Sequence, residues 1–221
     1  MNVMAKQTDT DGKKSNRWYV LAACALSGAV AGYVTTDLLT GGANGEPLLA
    51  LTWSQGAALL VAGIILFSLA IVAIGFGIPR AGIAMKMFED VEEWRDERTM
   101  MWLSCLGGGA WALAMILLAF AEPLGMIGSA PALAGMGALV IGATYFSWRL
   151  LREYDELWLG INAETCTYGM YLTFLIGGVW SIAAHLGFIP ALAPLDWITL
   201  LTTTCIAGAI WATRNRGMLE D

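Results

Sequence analysis

The chain of 221 residues is 57% hydrophobic and 14% charged, with a mean hydropathy of +0.64. A soluble domain carries about 25% charged residues, so this is the composition of a membrane protein. The formal charge of -6 comes from acids that cluster locally and says little about partners; no basic stripe is long enough to track phosphates, which excludes nucleic acid.

Met1 to Asn16 is polar, with no periodic apolar pattern, and reads as a disordered cytoplasmic tail. Trp18 to Leu39 is the first expected crossing, close to the roughly 20 residues that a hydrocarbon core requires. Leu21-Ala22-Ala23-Cys24 resembles a lipoprotein cleavage box. Only six uncharged residues separate Arg17 from Cys24, however, and the apolar run continues beyond it, so a signal peptide does not fit. Thr40 to Pro47 is rich in turn formers. Trp53 to Ile78 forms the second crossing, with Pro79 just past its end.

A charged island follows, Arg80 to Thr99. It holds six acids (Glu89, Asp90, Glu92, Glu93, Asp96, Glu97) and four bases (Arg80, Lys86, Arg95, Arg98), too many charges for hydrocarbon, so it lies in water. Ile83, Met87, Val91 and Trp94 recur at helical intervals and predict one apolar stripe on a solvated juxtamembrane helix. Trp94 on that stripe is a candidate anchor for a basic partner.

Met100 to Ala121 is the third crossing and Leu133 to Trp148 the fourth. A second charged patch, Arg149 to Glu156, comes next. The fifth crossing, Thr165 to Phe188, reads as the continuation of a helix begun near Leu150. Ile189 to Pro194 is a turn with two prolines, and Trp197 to Thr213 is the sixth crossing. The sequence Gly108-Gly109-Ala110-Trp111 is echoed by Gly177-Gly178-Val179-Trp180, although unequal spacing from the preceding acids weakens an internal repeat.

Six crossings with both ends on one side place all twelve Lys and Arg residues on that side; the three opposite connections hold only the acids Asp37, Glu46, Glu122 and Asp196. Lys and Arg in short loops stay cytoplasmic. The expected fold is therefore an all-α six-transmembrane-helix bundle of three hairpins, N-in and C-in. The membrane domain spans 17–216, with cytoplasmic charged segments at 80–99 and 149–158 and a tail at 217–221. A bacterial inner membrane is the expected location. The runs are too long for barrel strands and lack their alternation.

Ionisable groups within the crossings are the natural places to look for chemistry, and they are few. Glu164 lies in the polar stretch Asn162 to Tyr168, about two turns past the last arginine of the patch, at the edge of the hydrocarbon. Arg98, Arg149 and Arg152 are the partners expected for it, and Gly160, Glu164 and Tyr168 share a helix face. Asn162 belongs to the same stretch. Asp96 with Glu97, and Asp155 with Glu156, are adjacent acids. Consecutive helical residues point about 100° apart, so a solvated face is a better reading than a shared ion. His185, the single histidine, cannot supply paired haem ligands and has no neighbouring zinc ligands in sequence. The four cysteines, Cys24, Cys105, Cys166 and Cys205, stand singly, without metal or redox spacing, and read as buried apolar thiols.

No nucleotide-binding or hydrolase motif is present, and no cofactor or metal is expected. The expectation is a non-catalytic accessory, scaffold or sensor protein. Beyond the lipid bilayer, its partner would be a membrane or cytoplasmic protein engaged through the charged segments. A small-solute transporter with Glu164 lining the path is the alternative.

Overall fold

The computed structural model describes residues 52–84, 91–121 and 125–217. The expected crossing Trp18–Leu39, the tail before it, the connection Thr40–Pro47, and Met87, Glu89, Asp90 and Glu122 lie outside the described residues. Among the described residues six helices follow one another: α1 (Trp53–Gly77), α2 (Pro79–Ala84), α3 (Val91–Ala119), α4 (Ser129–Glu153), α5 (Glu156–His185) and α6 (Pro194–Asn215). All but α2 are long and apolar enough to cross a membrane. No strand occurs among the described residues apart from one isolated bridge between Ala121 and Ile127.

Local chemistry sets the helix ends. Thr52 and Gln55 form a capping box at α1, the Thr52 N–H donating to Gln55 Oε1 over 2.8 Å and the Gln55 N–H to Thr52 Oγ1 over 3.4 Å. Asp155 starts α5 by accepting from the Trp158 N–H at 2.9 Å. Pro194 occupies the first position of α6, where its missing N–H costs nothing. The Asp196 carboxylate accepts from the Ala193 N–H at 2.8 Å. Past α5, Gly187 adopts φ +80°, and the N–H groups of Gly187 and Phe188 return to the carbonyls of Ala184 and Ala183, a Schellman ending that requires a left-handed residue.

Two boundaries differ from expectation. The helix does not run on from Leu150: α4 stops at Glu153 and α5 begins at Glu156. Asp155 favours a cap over a helix interior because its side chain competes for nearby N–H groups. The second half of the island, conversely, is not a separate element, since Val91 to Thr99 is the uninterrupted start of α3. With 29 residues, α3 is about 43 Å long against a core of about 30 Å, so its charged turns project beyond the hydrocarbon.

The helices pack antiparallel in two hairpins, α3 with α4 and α5 with α6, and α1 lies between them against α3 and α6. Ala58, Val61 and Ala62 of α1 meet Ala112, Met115 and Ala119 of α3, with Leu195 and Ile198 of α6 beside them. Adjacent glycines in α3 serve different neighbours: a Cβ on Gly107 would meet Ser147 Oγ of α4 at 3.4 Å, and one on Gly108 would meet Leu69 of α1 at 3.2 Å. Small residues here allow the close approach that drives association in lipid. The echoed tetrapeptides are not equivalent in space. Trp111 donates to Thr202 Oγ1 across the core at 3.2 Å, and Trp180 donates to the Pro190 carbonyl in the turn at 3.0 Å.

At most 22% of any spanning stretch is buried within the protein. What remains outside is apolar, including Ile141, Phe174, Leu175 and Val179, so these surfaces face hydrocarbon. Threonine hydroxyls along α6 donate back to carbonyls three or four residues earlier, which satisfies them where no water is available.

Candidate functional site

Antiparallel packing gathers the charges. Phe76 near the end of α1 touches Trp102 of α3, with ring centroids 4.6 Å apart, and Gly160 near the start of α5 lies beside Arg216 just past α6. One end of the bundle therefore holds the start of α3 with Asp96 and Glu97, the α4–α5 junction with Arg152, Asp155 and Glu156, and the α6 terminus with Arg214 and Arg216. Among the described residues the opposite end has a single formal charge, Asp196, which the α6 start already uses. His185 is there too, exposed as the last residue of α5, and is not brought together with any other candidate.

Glu164 is paired, but not with the arginines expected for it. Arg216 Nη2 donates to Glu164 Oε1 at 2.5 Å, tying the third turn of α5 to the end of α6. The glycine at 160 makes room for this, since a Cβ there would stand 2.7 Å from the same guanidinium nitrogen. One turn inward, Tyr168 meets Trp211 edge to face at 6.3 Å. Asn162 is half-exposed two residues before Glu164, on a different sector of the helix.

The α5–α6 contact continues on small residues. A Cβ on Gly169 would lie 3.1 Å from the Cys205 backbone, and one on Gly208 would lie 2.7 Å from the Thr165 carbonyl oxygen and 3.0 Å from the Gly169 nitrogen. Thr173 and Thr204 share a hydroxyl hydrogen bond of 2.6 Å. Three of the cysteines are less enclosed than expected, Cys105 and Cys205 being half-buried and Cys166 exposed at the protein surface; Cys24 lies outside the described residues. The crossings turn most of their surface outward, so an apolar position need not be a buried one.

Trp94 is half-buried, and its indole N–H donates to the Phe76 carbonyl at 2.8 Å. This carbonyl lies in the last turn of α1, where intrahelical partners run out. Arg98 stands over the indole at 5.5 Å. Trp94 thus fastens the start of α3 to α1, and its ring is only partly free for a partner. Val91, placed on the same stripe by the sequence, is exposed. Trp94→Phe should remove the bond and lower stability by about 1 kcal/mol, read as a lower detergent-unfolding midpoint.

The adjacent acids separate by duty. Asp155 caps α5, and Glu156 sits in its first turn, where the helix dipole favours a negative charge. Tyr154 between the two helices stacks on Trp158 at 6.1 Å, and burial pushes its phenol up. Asp96 is exposed and Glu97 half-exposed. Among the described residues no three His, Cys, Asp or Glu side chains converge as a metal site needs. Gln55, Thr204 and Arg216 were missed by the sequence reading, whereas Gly160 does share the Glu164 face of α5 expected for it. Arg216 had a signal, because counting outward from the turn between α5 and α6 pairs Glu164 with the end of α6.

No protein-family model matches the chain, and neither a curated protein nor a solved structure matches it.

Proposed function

We propose that this is a non-catalytic accessory or scaffold protein of the bacterial inner membrane, which engages a basic segment of another protein through the acids at its charged end. It is built as six transmembrane helices, N-in and C-in, with Trp18–Leu39 as the first. The observation that carries this reading is the length of α3, 29 residues that begin in charged turns. Glu92 and Asp96 are exposed on turns that Trp94 fastens to α1. A fixed acidic surface of this kind recognises cations with little ordering cost. The pairing of Glu164 with Arg216 supports a tie between helices over a coupling acid in a transport path.

A photo-crosslinker at Asp96 tests this in native membranes. It should give one discrete adduct, reduced strongly when Glu92 and Glu93 are changed to Lys, and a probe at Ser129 at the opposite end should not give it. The same adduct from both positions, or none from Asp96, would remove the proposal.

A further inference from the structure

The outward face of α4 has a feature that the partner reading leaves unused. Val140, Ile141, Thr144, Tyr145 and Trp148 line an apolar concavity on this helix. Packing against α3 accounts for the other face of α4, and Ile141, Tyr145 and Trp148 are 71%, 49% and 51% exposed. Above the concavity the Arg152 guanidinium carbon lies 3.8 Å over the Trp148 ring. Arg149 stands one position past the tryptophan. Both arginines are exposed, and neither forms an ion pair with another described residue.

We infer that this face of α4 is a binding site for an anionic phospholipid, with the phosphate at Arg149 and Arg152 and one acyl chain along Val140 to Trp148. Three observations select that occupant. Two cations three residues apart on α4, Arg152 above the concavity and Arg149 beside it in sequence, form no ion pair among the described residues and ask for an anion. Stacking on Trp148 holds one of them at headgroup level, where an indole also prefers to sit. From Val140 to Arg152 the helix rises about 18 Å, which matches one leaflet, about half of a 30 Å core plus its headgroup. A protein helix laid on α4 would cover the whole crossing and leave the arginines unanswered.

The site rests on the bilayer placement of α4 and not on a protein partner. Failure of the Asp96 crosslink therefore leaves it standing, and its own failure leaves the partner reading standing. The test uses the full chain reconstituted in phosphatidylcholine vesicles that contain a minor fraction of either brominated phosphatidylglycerol or brominated phosphatidylcholine. The Trp148 emission is obtained as the difference between wild type and Trp148→Phe. Brominated phosphatidylglycerol should quench that component with an apparent preference on the order of tenfold. Arg149→Gln/Arg152→Gln should abolish the preference, and Arg95→Gln/Arg98→Gln, which removes two charges from the α3 start, should keep it. Equal quenching by the two lipids in wild type, a preference that survives Arg149→Gln/Arg152→Gln, or an equal loss in Arg95→Gln/Arg98→Gln would each overturn the site.

Discussion

Gly208→Val should loosen the α5–α6 hairpin more than any other single change at that contact. The new side chain would begin 2.7 Å from the Thr165 carbonyl oxygen and 3.0 Å from the Gly169 nitrogen. Both are backbone atoms of a regular helix and cannot rotate away, so the helices must separate. Separation also pulls apart the Thr173–Thr204 hydroxyl pair and the contact of Tyr168 with Trp211. Overpacking costs about 1–3 kcal/mol, and the upper end applies where backbone is what is met. Gly178→Val is the control: it makes the same change in the middle of a spanning helix, where a Cβ meets nothing within 4 Å. Unfolding in detergent should show a large loss for the first and a small one for the second. Equal losses would mean that the substitution hurts the helix itself and that the contact is not close.

Gln55→Met should have a comparable effect at the other end of the bundle. Gln55 is 1% exposed, and its Nε2 donates to the Ala119 carbonyl at 2.7 Å, one of the last carbonyls of α3 and without a partner in its own helix. Its Oε1 accepts from the Thr52 N–H at 2.8 Å. One side chain thus closes the start of α1 and the end of α3 together. Methionine keeps the volume and removes these bonds, leaving the buried Ala119 carbonyl bare at about 1–3 kcal/mol and handing the Thr52 N–H, on an exposed residue, to water. Thr52→Val, which keeps the bond to Ala119, should cost less. If Gln55→Met unfolds at the wild-type midpoint, water reaches these groups and the inter-helix cap contributes nothing.

These two sites also mark where the sequence stopped being readable. The five crossings from α1 to α6 among the described residues were legible, because the density of charge separates water from hydrocarbon without any knowledge of packing. Trp53 and Pro79 fell where their chemistry says they should, whereas the crossing expected to run to Phe188 ends at His185, ahead of the left-handed Gly187. Helix pairing was not legible. With 26 glycines spread through every apolar run, no stripe singles out Gly208 or Gly169 as the residues that face a neighbour. Gln55 looked like an ordinary polar residue in a first turn, and its partner lies 64 residues away. The pause at Tyr154–Asp155 hid for a different reason: the surrounding Arg, Leu and Glu residues are good helix formers, and only the capping of Asp155 to the Trp158 N–H gives it away. The charged face of the candidate site was visible as composition, whereas the roles of Trp94 and Asp155 within the fold depended on distances.

The account depends on cationic side chains marking one face of the bilayer. Paired reporters that are active on opposite sides of the membrane, fused after Asn44, Glu122, Lys86 and Tyr154, test it most directly. The first two should report the side opposite the N-terminus, and the last two the same side. If Asn44 and Glu122 report the side of the N-terminus, the orientation is contradicted, and with it the charged end as a surface that meets cytoplasmic partners.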